Sequence, residues 1–182
     1  MSQAVELGGD TLAIGRGALR ALRQALQQDL GEQGAARLQE AGHAAGSDVY
    51  GCFLRWLKTE TGVTDPGALD ATKFGSVLGD FFQALGWGRI AVSRVGSGGL
   101  AFDAEQWAEA EVDAGATSPS CHFSAGLLAG FMGAMVQQPV SVMEVECRSA
   151  NQARCRFLLG TPETLEAAYQ AASEGRDYGT AI

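Results

Sequence analysis

The chain has 182 residues, 46% of them hydrophobic and 19% charged, a length and balance that fit one folded domain and exclude a disordered segment. Its formal net charge of -8 repels phosphate backbones and anionic lipid surfaces, so neither nucleic acid nor a membrane is an expected partner. The start, MSQAVELGGD, lacks the basic and apolar regions of an export signal, and four cysteines in such a chain fit a reducing, cytoplasmic setting.

In chain order, Leu19, Leu22, Leu26 and Leu30 recur at helical spacing among Arg20, Arg23, Gln27 and Asp29, which predicts an amphipathic helix ended by Gly31. A longer helical pattern from about Glu32 to Thr59 carries Leu38, Ala41, Ala45, Val49, Phe53 and Trp56, with Gly42 and Gly46 one turn apart. Glycines weaken a helix unless something packs closely on them, so this pair predicts a tight helix crossing, inside the domain or between subunits. Gly62 to Asp65 and Pro66 break the pattern. Asp70 to Leu85 then predicts a third helix with Phe74, Val77, Leu78, Phe81 and Leu85 inward.

After Gly86 the period changes to two, with Ile90, Val92 and Arg94 against Arg89, Ala91 and Ser93, then Gly96 to Gly99, then Leu100 to Ala104, a hairpin signature. The Gly-Ser-Gly-Gly run reads as its turn and not as a phosphate loop, because neither a helix start nor a Lys-Ser/Thr pair follows it. A polar loop from Gly115 to Ser120 precedes an apolar helix from about Phe123 to Gln137, stopped by Pro139. Its longest apolar run, Phe123 to Val136, has 14 residues, short of the roughly 20 that a membrane span needs, and so predicts a buried helix.

Val140 to Cys147 and Arg154 to Leu159 form a second hairpin across Ser149 to Ala153, and Thr161 with Pro162 starts a last helix that ends near Gly175. The order of these elements predicts an α/β fold of the α+β type, an antiparallel four-stranded sheet from two hairpins packed with about five helices. One domain over residues 1–182 is expected, helical over about 1–85 and carrying the sheet over about 86–175.

Three cysteines gather in the last third. With a turn centred near Asn151, Cys147 and Cys155 become cross-strand neighbours with Cβ atoms about 5 Å apart. Cys121 stands just before a helix, where the N-terminal dipole favours a thiolate. A tetrahedral zinc site needs a fourth donor, for which Glu144, Glu146 and His122 are the local candidates. Simple strand alternation puts both glutamates on the face opposite Cys147, so neither is selected unless a bulge or strand end rotates the backbone. Three buried thiols without a metal are the alternative.

The stretches Cys121-His-Phe-Ser-Ala-Gly-Leu-Leu-Ala-Gly-Phe131, Glu144-Val-Glu-Cys147 and Cys155-Arg-Phe157-Leu-Leu-Gly160 resemble the 4-vinyl-reductase domain family. The specific part is Cys, 22 residues, Glu, two residues, Cys, seven residues, Cys. Leu85-Gly-Trp87-Gly-Arg89 extends the likeness, which is good from about Phe74 to Gly160 and looser over the first helices. The family occurs as stand-alone bacterial and archaeal proteins, beside bacteriochlorophyll biosynthesis genes, and as the sensor of phenol-responsive NtrC-type activators. The resemblance implies zinc held by Cys121, Glu144, Cys147 and Cys155, as in those sensors. It also implies a fold shared with TRAPP trafficking subunits, and a homodimer. The chain has no helix-turn-helix, no Walker motif and no room for an ATPase, so any signal would pass to a separate output protein.

Aromatic side chains are numerous enough to line a pocket for a small apolar or aromatic ligand, and Trp56, Phe74, Phe102, Trp107 and Phe123 are the candidates. Filling the core is the alternative for each of them. His43 is expected to face solvent or an interface, Cys52 to be a core thiol, and Glu105, Glu109, Glu111 and Asp113 to form a solvated acidic cluster. His122 lacks the nucleophile, carboxylate pair or cofactor fingerprint that would make it a general base. The leading expectation is a ligand-binding sensor or carrier domain with a structural zinc. The alternatives are an accessory enzyme or carrier in tetrapyrrole metabolism, and a dimeric scaffold. Since no Gly-x-Gly-x-x-Gly fingerprint is present, a reductase would need its hydride from a partner.

Overall fold

The computed structural model describes residues 8–9, 11–96, 99–112 and 115–182. Helices α1 (Arg16–Leu30) and α2 (Glu32–Thr61) are separated only by Gly31, whose φ of 56° turns the chain between them. Helix α2 stops at Gly62 in the left-handed conformation, with its N–H on the Lys58 carbonyl. After a 3-10 turn at Pro66–Ala68, the Asp70 carboxylate caps α3 (Ala71–Ala84) by accepting from Lys73 N.

Strands β1 (Ala91–Val95) and β2 (Gly99–Ala104) form the first hairpin; of its expected turn, Ser97 and Gly98 lie outside the described residues. Helix α4 (His122–Val136) follows, then β3 (Ser141–Glu146), β4 (Cys155–Gly160) and α5 (Pro162–Ser173), which is capped by the Thr161 hydroxyl. The strand order is β1-β2-β4-β3 with every pairing antiparallel, so the two hairpins join through β2 and β4. Among the described residues the fold is the expected α+β arrangement of five helices on a four-stranded antiparallel sheet. Among the described residues no helix is long and apolar enough to cross a membrane.

Helix α4 lies between α2 and the inner face of the sheet, which is why every position from Ser124 to Met132 is buried. Its contact with α2 is made backbone to backbone. A Cβ on Gly42 would collide with the Phe123 carbonyl, and one on Gly130 with the His43 carbonyl. The glycine pair of α2 therefore serves a crossing within the chain. The inner core consists of Phe53, Phe81, Phe82, Phe102, Phe131 and Phe157, all fully buried. On the outer face, Val95, Ala101 and Leu158 pack against Leu165 and Ala168 of α5.

Candidate metal centre and the aromatic core beside it

Cys121 is the residue before α4, Glu144 lies in β3, Cys147 follows β3 directly and Cys155 opens β4. One donor atom from each falls within 4.8 Å of the other three. The Cys121 and Cys147 sulfurs are 3.7 Å apart, and a tetrahedron with Zn–S of about 2.3 Å has an S···S edge of about 3.8 Å.

The second hairpin departs from simple alternation where this site needs it to. Glu144 stands opposite Phe157 and Glu146 opposite Arg156, so β3 has one residue more than its partner over this step. This bulge puts Glu144 with Cys147 and Cys155, and sends Glu146 to the outer face. The strand also ends earlier than its apolar pattern suggests. Arg148–Ala150 forms a 3-10 turn that Asn151 closes in the left-handed conformation, and Cys147 sits extended at its start.

Four acidic groups this close cannot all carry charge without a cation. Hydrogen bonds from Cys121 and Cys155 hold the Cys147 thiol far below its ordinary value, which makes Cys147 the thiolate of the group. The bond to Cys147, then the one to Cys155, then burial push Cys121 well up, so its place before the helix does not make it the anion. At Cys155 the contact with Cys121 pulls downward, but the bond to Cys147 and burial outweigh it and the thiol is raised. Burial, reinforced by the Cys147 charge, pushes Glu144 up to about 8.

Three sulfurs and a carboxylate suit zinc. The carboxylate is already oriented, since its Oε2 accepts from Cys121 N at 2.8 Å. Its Oε1 is buried without a hydrogen-bond partner, an acceptor that a cation would satisfy. The residues present therefore fit the ion that the resemblance implies.

A buried ionic layer supports Cys121 from the other side. Glu109, expected in a solvated cluster, is 1% exposed and accepts from Phe123 N at 3.1 Å, Ser124 N at 2.7 Å and the Ser124 hydroxyl. It thereby fills the open N–H groups of α4. Its counter-charge is Arg23 of α1, 3.2 Å away, which also donates to the carbonyls of Glu109 and Ser120. Burial pushes the Glu109 carboxyl up, while the Ser124 hydroxyl and Arg23 pull against it. No sequence signal marked this pair, because Arg23 occupies a polar slot of an amphipathic pattern. Glu105 is exposed and Glu111 pairs with Arg20 at 3.2 Å, as a surface cluster should, while Asp113 lies outside the described residues.

Of the five aromatic candidates, Trp56, Phe102 and Trp107 are buried, and Phe74 and Phe123 are half-buried against the same cluster. Rings in contact run from Trp56 through Phe81, Phe82, Trp107 and Trp87 to Phe123, with centroids 5.4 to 6.0 Å apart. Trp107 also donates from Nε1 to the Ser124 hydroxyl at 2.7 Å, which ties the aromatic path to the helix start beside Cys121. An open groove of 460 Å³ lies elsewhere, between α2, α4 and β3, lined by His43, Ala44, Ala129 and Val142 among others. His122 is half-buried outside the donor cluster, where burial and then Arg23 lower its pKa. Cys52 is a buried thiol, as expected, in contact with Thr11 and Arg55.

No curated protein matches the chain. Residues 102–161 match the 4-vinyl-reductase domain, the family that the cysteine spacing resembles. That match runs from β2 to the cap of α5 and contains all four donors of the cluster. Among solved structures, the phenol-responsive sensory domain of the transcription activator PoxR, with phenol, is similar over 90% of this chain and 82% of that one, at 18% identity and a TM-score of 0.65. A vinyl-4-reductase family protein from Methanocaldococcus jannaschii is similar over 83% of each chain, at 17% identity and a TM-score of 0.52. A trafficking protein particle complex subunit 3 from Naegleria fowleri, covalently bound to palmitic acid, is similar over 79% of this chain and 89% of that one, at 13% identity and a TM-score of 0.57. The fold around the matched segment is thus the one shared by these structures.

Proposed function

We propose that the chain is a single cytoplasmic domain that binds a small aromatic or apolar molecule, as a sensor or carrier, with a structural zinc at Cys121, Glu144, Cys147 and Cys155. The observation that carries this reading is the convergence of those four side chains on one point beside a continuous aromatic core, in a fold shared with a phenol-responsive sensory domain. Zinc bound there supplies a cross-link between the second hairpin and α4, and four protein donors leave no position open for substrate. The residues themselves do the rest. Glu144 orients on Cys121 N, Cys147 is the thiol whose pKa its neighbours pull down, and Trp107 connects the helix start beside the site to the core.

Trp56, Phe74, Phe102, Trp107 and Phe123 are the proposed ligand contacts. The buried Nε1–H of Trp56 has no acceptor, which supports a ligand that brings an oxygen to it. Leu12, Ile14 and Leu22 are 87%, 60% and 57% exposed on the N-terminal segment and α1, which supports a homodimer built on that side, with output through a separate protein.

Elemental analysis of untagged protein should find about one zinc per chain, and Cys147→Ser should abolish it. A chelator should then lower the melting temperature of the wild-type chain to that of the variant and leave the variant unmoved. Metal-free, reduced wild-type protein would end the zinc reading. Titration with phenol, followed by tryptophan fluorescence, tests the pocket, and loss of the response in Trp56→Phe is expected. The shared fold of the vinyl-4-reductase family protein favours a second reading, a carrier or accessory enzyme for tetrapyrroles. Consumption of reduced nicotinamide with a vinyl tetrapyrrole by the purified chain would install it.

A further inference from the structure

In an unbroken strand, residues three apart face opposite sides of the sheet, so Glu144 and Cys147 share a side only because of the bulge. A bulge disrupts the ladder locally, and something must hold this one in place. The residue it turns outward is Glu146. There Arg154 donates to both Glu146 carboxylate oxygens, at 2.9 and 3.1 Å, the Tyr178 hydroxyl donates to Oε1, and Arg156 stands 3.8 Å away. Glu146 directly precedes Cys147 and Arg154 directly precedes Cys155. The forked ion pair therefore bridges the hairpin one residue upstream of both cysteine donors. Arg156 is fixed in turn by Asp103 at 2.6 and 2.8 Å. Tyr178 belongs to the 3-10 turn at Tyr178–Thr180, beyond α5.

We propose that Glu146, Arg154 and Tyr178 are positioning residues of the metal centre: from the outer face they clamp the bulge that sets Glu144 against Cys147, and Tyr178 makes docking of the C-terminal segment part of metal affinity. The proposal rests on the metal-binding reading above. None of the three belongs to the donor cluster, and the Arg154–Glu146 side chains are 35% and 20% exposed, so the pair adds little to global stability. Its effect is concentrated where two donors must keep one spacing. Outer partners that orient ligands change metal affinity by about 10- to 100-fold. Because coupling is reciprocal, a metal that binds better with Tyr178 docked also holds Tyr178 down.

The test uses the full chain and its Glu146→Gln, Arg154→Met, Arg154→Lys and Tyr178→Phe variants. Ser93→Ala, which loses a contact to Asp103 in the same network without touching Glu146, serves as the control. Zinc affinity is measured by chelator competition, and site geometry by the charge-transfer and ligand-field absorption of bound cobalt(II). Glu146→Gln and Arg154→Met should bind zinc about 10- to 100-fold more weakly with altered cobalt bands, Tyr178→Phe should lose less, and Arg154→Lys should recover part of the loss. Their metal-free melting temperatures should move no further than that of Ser93→Ala. Wild-type affinity and spectra in Glu146→Gln, Arg154→Met and Tyr178→Phe would overturn the positioning role while leaving the metal site standing. Failure of the wild-type chain to take up zinc or cobalt would instead remove the metal reading and this proposal together.

Discussion

On the inner face of the sheet Phe102, Phe157 and Cys155 have no exposed surface, whereas on the outer face Asp103, Arg154 and Arg156 keep 15 to 35% of their side chains in water. Strands β2 and β4, with Arg154 just ahead of β4, supply both sets, alternating residue by residue. The inner set is held by apolar burial and close packing, which respond to volume. The outer set is held by charge, which responds to pH and salt. Cys155, the candidate metal donor that opens β4, therefore has a dry, shape-dependent neighbourhood on one side and a titratable one on the other.

The largest effect is expected from emptying the inner face. Phe131 meets Tyr50, Phe53, Phe81 and Phe82 ring to ring, so Phe131→Ala should cost about 3–5 kcal/mol, read by chemical denaturation. Trp107→Phe keeps one aromatic ring but gives up the second ring of the indole and the bond to Ser124, which still bonds Glu109. A loss of about 1–3 kcal/mol is expected. An effect as large as that of Phe131→Ala would mean that this end of the core cannot close over the lost indole volume.

The outer face should give the smallest effect at neutral pH and a distinctive one in acid. Burial pushes the Asp103 carboxyl up, but the bonds from Arg156 and Ser93 and the Arg156 charge outweigh it and hold the carboxyl below its ordinary value. A group depressed on folding stabilises the protein above its unfolded value of about 4 and loses that contribution as pH falls through its lower, folded value. Arg156→Met should therefore cost at most about 1 kcal/mol at pH 7 and flatten the fall in melting temperature on the acid side. An unchanged acid limb would show that the outer pairs contribute nothing to folding.

Leucine and aromatic spacing foretold α1, α2 and α3, the unbroken apolar run foretold α4 and the Thr161-Pro162 start foretold α5. In α1, however, the spacing named the wrong face, since Leu19 and Arg23 are buried while Leu22 and Leu30 are 57% and 42% exposed. Gly42 and Gly46 foretold the close crossing, though not its partner, because Gly126 and Gly130 are hidden in a run that is apolar on every side. The spacing of Cys121, Cys147 and Cys155 foretold that a donor set could assemble. It did not choose between Glu144 and Glu146, because that choice depends on one extra residue in the β3–β4 ladder, a bulge that strand alternation does not reveal. Arg23 and Glu109 went unread for a similar reason. They are 86 residues apart, and each looks like surface until the other is known.

The glycine crossing also decides which part of the centre can yield. With the backbones of α2 and α4 in direct contact, α4 has no side-chain layer to slide on, and Cys121 at its start is anchored like a fixed jaw. Cys147 stands at the start of the 3-10 turn between β3 and β4 and is the opposing, adjustable jaw. Any difference in shape between loaded and unloaded protein should then be taken up by the second hairpin and the tail that Tyr178 pins to it, leaving the helix layer as the frame against which that movement is measured.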